Sequence, residues 1–102
     1  MANYLYHGKL AAKTGQAEKL TDILVEASKL VMKVKGCRLY VVSRTPAEPE
    51  AIFVTEIWDS QEDHDNSLKL QDVQGLIKKA FPILDGMPAR GQELEIIGGL
   101  PA

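Results

Sequence analysis

Residues 37–58 read CRLYVVSRTPAEPEAIFVTEIW. Two β-rich runs, CRLYVVSR (Cys37–Arg44) and AIFVTEIW (Ala51–Trp58), flank TPAEPE (Thr45–Glu50), whose two prolines cannot continue a central strand. The segment is a β-hairpin, and the other elements are placed around it. Downstream, DSQED (Asp59–Asp63) puts a cap, Asp59 or Ser60, ahead of acids in a first helical turn, Glu62 or Asp63. Val73, Leu76, Ile77, Ala80 and Phe81 then follow at helical spacing until Pro82, and this stretch is read as one helix.

Upstream, YLYHGKLAA (Tyr4–Ala12) is short, aromatic-rich and bounded by KTG, as a strand should be. From Ala17 the apolar residues Leu20, Ile23, Leu24, Ala27, Leu30, Val31 and Val34 recur at offsets of three and four, one stripe of an α-helix. Lys29, Lys33 and Lys35 complement the helix dipole near its end, and Gly36 supplies the stop. QELEIIG (Gln92–Gly98) closes the chain as a last strand. The order strand, helix, strand, strand, helix, strand predicts an α+β fold. It is the ferredoxin-like βαββαβ arrangement, a four-stranded antiparallel sheet with both helices on one face.

Composition agrees. With 102 residues, 45% apolar and 25% charged, the chain is expected to form a single domain over 1–102, without low-complexity segments or repeats. Twelve basic residues against 14 acidic ones give a net charge of −2 without a basic cluster, so no nucleic-acid partner is expected. The start MANYLYHGKL lacks a signal-peptide pattern, and no run approaches the ~20 apolar residues of a bilayer span. We therefore expect a cytoplasmic protein with no membrane partner. Cys37 stands alone, which excludes an intramolecular disulfide and a CxxC motif, and it reads as a small buried hydrophobe.

The helix-free face of the sheet is the unusual part. A half-exposed sheet alternates apolar and polar residues. Here strand three sets Ala51, Phe53 and Ile57 on one side and Ile52, Val54 and Trp58 on the other, while strand two sets Cys37, Leu39 and Val41 against Tyr40 and Val42. Four such strands present roughly 400 Å² in projection, a patch that monomers seldom leave open. A second copy is the simplest cover. Burying ~800 Å² at ~25 cal/mol/Å² yields a gross gain on the order of 20 kcal/mol, so an obligate homodimer, sheet against sheet, is expected.

Gly36 and Cys37 opening strand two, FVTEIW (Phe53–Trp58), EDHDNSL (Glu62–Leu68) and AFPIL (Ala80–Leu84) occur in an order that resembles the antibiotic biosynthesis monooxygenase (ABM) domain family. Those proteins are small dimeric α/β barrels that include quinol monooxygenases, and the likeness runs from about Leu5 to Ile97. Where the family reads E-A-H-x-x-H-L, this chain keeps the first histidine as His64 and has Ser67 in place of the second, which weakens any metal site needing two imidazoles. At the positions that best match the asparagine, tryptophan and histidine of the haem-degrading branch stand Gly8, Ser67 and Ile77, so haem degradation is not expected.

The resemblance implies oxygenation of a quinol or anthrone without flavin or metal, so neither a cofactor nor a metal is expected, and the partners are a small aromatic molecule and dioxygen. Such a substrate becomes reducing once it loses a proton. The site then needs a base, donors to hold the oxyanion, and an apolar pocket. By residue type the bases are His7 and His64, and the donors or stacking walls are Tyr4, Tyr6, Tyr40 and Trp58. Alternation separates Tyr4, Tyr6 and Gly8 from Leu5, His7 and Lys9, so the first set is assigned to the pocket and His7 to the subunit interface.

The catalytic candidates are thus His64 and Trp58, with Tyr4, Tyr6, Tyr40, Glu56 and Ser67 as substrate-binding candidates. Each has a structural alternative. Trp58 can simply fill the core or the dimer seam while Glu56 binds a backbone or basic partner. His64 can be a solvated first-turn residue, or a helix N-terminus can favour its neutral, base-competent form. Glu56, Asp59, Glu62, Asp63 and Asp65 form no D-x-D-x-D-G loop and read as strand-to-helix punctuation rather than a cation site. Two further functions stay open: a non-catalytic dimeric module that binds a small ligand, and an isomerase of a small phosphorylated sugar.

Overall fold

The computed structural model describes residues 2–87 and 90–99. Strand β1 (Tyr4–Ala11), helix α1 (Ala17–Val31), strands β2 (Cys37–Ser43) and β3 (Ala51–Trp58), helices α2 (Gln61–Ser67) and α3 (Gln71–Ala80), and strand β4 (Gln92–Glu95) follow one another, with a 3₁₀ turn at Phe81–Ile83. The four strands form one antiparallel sheet in the order β2-β3-β1-β4. This is the predicted ferredoxin-like topology. No helix among the described residues is long and apolar enough to cross a membrane.

The helices pack on one face only. Leu20, Ile23, Leu24 and Ala27 of α1 and Leu76 and Ala80 of α3 meet Ile52 and Val54 of β3, with Tyr6, Leu10, Tyr40 and Val42 around them. A second cluster joins Tyr4 and Trp58 to Val31 and Val73. The helical spacing fixed these stripes, because only residues three and four apart share a face.

Four details depart from the sequence reading. The stretch read as one helix after Trp58 is two, because Leu70 is extended (φ −68°, ψ 138°) between α2 and α3. Asp65, Asn66 and Ser67 precede the break, residues whose side chains compete for backbone partners. Helix α1 ends at Val31, so only Lys29 lies in its last turn, and Lys33 and Lys35 fall in the turns beyond. Cys37 does not share a face with Leu39. A register shift between them leaves Cys37 opposite Trp58 and Leu39 opposite Ile57, and Cys37 packs on the helix side, half-buried. Finally β4 stops at Glu95: Ile96 bonds the Asn3 carbonyl (2.8 Å) at the start of β1, and Ile97, with no strand left to pair, is 92% exposed.

The opposite face carries Leu5, His7, Val41, Phe53, Thr55, Ile57 and Leu94, and no described element of the chain covers it. His7 shares a hydrogen bond with Thr55 (3.0 Å) and its ring stacks on Phe53. His7 therefore lies away from the helices, as the alternation required.

Candidate active site

Ser60 anchors the start of α2. Its hydroxyl accepts the Asp63 N–H (3.1 Å) and caps α2, while Asp59, the other capping candidate, is held by Arg38 through bonds of 2.6 and 3.3 Å. The cap fixes α2 at the end of β3 and turns His64 inward, leaving it 7% exposed. The solvated alternative for His64 is thereby set aside. Gly36 makes this packing possible: its φ is +87°, and a Cβ there would run into the Asp63 carboxylate.

His64 is walled by aromatics. Tyr6 stacks on its ring at 5.2 Å, Tyr4 tilts against it at the same centroid distance, and Trp58 meets it edge-on at 5.9 Å. Beneath lies Glu56, buried, whose Oε1 accepts the Trp58 indole N–H (2.9 Å) and stands 3.9 Å from His64 Nε2. The other ring nitrogen, Nδ1, is 2.9 Å from Asp65 Oδ1, on a half-exposed side chain. Ser67 donates to the His64 carbonyl (2.6 Å).

Burial governs the electrostatics. It pushes the Glu56 carboxyl above the ordinary range, against the opposing pull of the Trp58 N–H and of His64. The Tyr4 phenol is pushed up to about 12, first by burial and then by the charges of Glu93, Asp65 and Glu56. Tyr40 is raised as well, by burial and by Glu56. Burial also raises the Cys37 thiol, which suits a packing role.

A cavity of about 410 Å³ opens between sheet and helices beside this cluster. Ile23, Leu24 and Ala27 of α1 and Val73 and Leu76 of α3 line it from the helices; Tyr6, Tyr40, Ser67 and Gly8 line it from the sheet and α2, and Leu68, Phe81 and Arg90 also contribute. Of the residues singled out from sequence, Tyr6, Tyr40 and Ser67 therefore face the cavity. His64, Trp58, Tyr4 and Glu56 come together but stand one layer behind it, outside its wall. Tyr4 instead borders a shallower polar cleft with Ser60, Gln61 and Glu93, and its hydroxyl is buried without a hydrogen-bond partner among the described residues.

Sequence reasoning, which expected a pocket between sheet and helices, missed two contributors: Arg90 and Gly91. Gly91 donates its N–H to the Tyr6 hydroxyl (3.2 Å), and a Cβ on it would fall 2.5 Å from the same ring. Only pairing of β4 with β1 reveals that approach. Among the described residues no group of three or more metal-binding side chains converges.

The family profile for antibiotic biosynthesis monooxygenase matches residues 4–79. The chain belongs to the antibiotic biosynthesis monooxygenase family. It is 37% identical to a candidate antibiotic biosynthesis monooxygenase from Chloroflexus aurantiacus, with 97% of each chain covered and a TM-score of 0.85. A candidate member from Deinococcus radiodurans (24% identity, 97% and 95% covered, TM-score 0.76) shares the fold. So does one from Nitrosomonas europaea (9% identity, 93% and 90% covered, TM-score 0.87). No curated protein matches the chain significantly.

Proposed function

We propose that the protein is a cofactor-independent monooxygenase of the quinol or anthrone type, working as a homodimer joined through the helix-free faces of its sheets. Family membership supports oxygenase chemistry at the coarse level. The observation that carries the finer reading is the apolar cavity of about 410 Å³, large enough for a flat aromatic molecule, with phenols of Tyr6 and Tyr40 on its sheet side and a buried carboxylate–imidazole pair behind Tyr6.

In this reading Tyr6 and Tyr40 hydrogen-bond the substrate oxygens, and the Glu56–His64 pair takes up the proton whose loss makes the ring reducing. The apolar wall keeps water from the resulting anion while dioxygen enters. Trp58 holds Glu56 in place through its indole N–H. The Leu5, Phe53, Ile57 and Leu94 face supports the dimer, since an apolar sheet surface of this kind needs a cover.

Oxygen uptake by metal-stripped protein, over a panel of hydroquinones and anthrones, tests the proposal. Turnover that is lost in His64→Ala or Trp58→Phe, with the dimer intact, is the expected result. The placement of His64 and Trp58 behind the wall favours a second reading, a dimeric module that binds an aromatic ligand without converting it; tight binding with no uptake across the panel supports that. A phosphorylated sugar fits less well, because the cations near the cavity, Lys9 and Arg90, are already paired with Glu48 and Glu93.

A further inference from the structure

Deprotonation in a closed, apolar site leaves a proton to dispose of, and a buried base that cannot release it works once. Glu56 lies on the helix-covered face in a row across three strands, with Tyr40 opposite it on β2 and Tyr6 opposite it on β1. Both of those phenols line the cavity, so the carboxylate sits between two cavity-facing groups. Its other neighbour is His64. The imidazole has one nitrogen toward buried Glu56 (3.9 Å) and the other on half-exposed Asp65 (2.9 Å).

We propose that Glu56, His64 and Asp65 form a proton line from the inner side of the site to solvent, Glu56 being its inner end and Asp65 its outlet. The proposal rests on the monooxygenase reading for its use, but not for its existence. Asp65 also positions the ring: it accepts the Nδ1–H of the neutral imidazole, which leaves the Nε2 lone pair turned toward Glu56. A proton arriving on Glu56 passes to Nε2, the Nδ1 proton passes to Asp65, and Asp65 gives it to water. One proton enters, one leaves, and no electron moves; the ring is left as the Nε2–H tautomer and has to return to Nδ1–H before the next transfer. The 3.9 Å gap is longer than a hydrogen bond, so transfer requires the Glu56 carboxyl to close on the ring by about 1 Å.

The surroundings allow this. The groups packed on the ring are Tyr4 and Tyr6 from β1, Trp58 and Glu56 from β3, and Asp65 of its own helix; Glu93 of β4 acts on Tyr4 and is itself engaged by Arg90. Neither Glu56 nor Asp65 has a lysine or arginine ion-pair partner among the described residues. Nothing competes with the imidazole for either carboxylate except the Trp58 N–H, which donates to the same Oε1.

Carboxyl ¹³C and imidazole ¹⁵N NMR on the whole chain test the line without any substrate. In His64→Gln, the Glu56 carboxyl is expected to titrate at a different pH from the wild type, because the group that exchanges a proton with it is gone. In Asp65→Asn, the Nδ1–H tautomer of His64 is expected to lose population. With a turned-over substrate, Asp65→Asn should lower kcat on the order of 10-fold with KM unchanged, since only the proton's exit is impaired.

A Glu56 curve unmoved in His64→Gln, or a tautomer unmoved in Asp65→Asn, breaks the line at that joint and overturns the proposal. If His64→Gln fails to fold, Asp65→Asn decides alone, for Asp65 is on the surface. A silent oxygen electrode over the whole panel would remove the monooxygenase reading, while the NMR result still decides the line.

Discussion

Glu56 is the residue whose environment departs furthest from its chemistry. Folding holds its proton where the unfolded chain releases it, because burial penalises the charged form. Between the ordinary value of 4.5 and the raised one, the native state binds more protons than the unfolded state, so stability falls as pH rises through that window. Glu56→Gln keeps an acceptor for the Trp58 N–H but cannot ionise. Denaturant unfolding across a pH series should therefore show the variant gaining on the wild type from about pH 4.5 upward, then levelling off; parallel curves would contradict the assignment. Tyr4 offers a second test. Its buried hydroxyl lacks a partner among the described residues, and such a group costs about 1–3 kcal/mol, so Tyr4→Phe should leave stability unchanged or raise it by about 1 kcal/mol. A loss of that size would mean that the hydroxyl is hydrogen-bonded in solution.

At the level of elements, the junction between β3 and α2 positions the site. Gly36 lets the chain turn at positive φ directly beneath the Asp63 side chain, and Ser60 caps the helix that carries His64. Gly36→Ala should cost about 2 kcal/mol in denaturant unfolding, from the left-handed backbone and the clash together. Ser60→Ala should cost about 1 kcal/mol. Equal, negligible losses would indicate that tertiary packing alone sets the angle of α2. The elements themselves were legible because apolar spacing distinguishes helix from strand, and the sheet order followed from the split βαβ pattern. What was not legible is local. The register shift beside Arg38 moves Cys37 to the other face without altering the alternation seen in sequence, and the break at Leu70 interrupts a stretch whose ends both carry helical signals. The pocket side of β1 could be chosen from Tyr4, Tyr6 and Gly8, yet alternation says nothing of depth. It therefore could not reveal that Tyr6 stands in front of His64.

For the whole molecule, a sheet with helices on one side leaves Phe53, Ile57, Leu5 and Leu94 on the other. Replacing Phe53 by Asp places a charge within the proposed subunit contact. Light scattering at micromolar concentration should give twice the chain mass for the wild type and a loss of dimer for Phe53→Asp; a monomeric wild type would contradict the dimer. The proposed catalysis is a separate matter, assigned to the cavity between the layers. Ala27 lines that cavity from α1, so a phenylalanine there would fill part of the space with its ring. The decisive measurement is oxygen consumption by metal-stripped protein given hydroquinones or anthrones, wild type beside Ala27→Phe. The account predicts uptake by the wild type and its loss in the filled variant, with fold and mass unchanged. Equal uptake by both, or none by the wild type with any substrate, contradicts it.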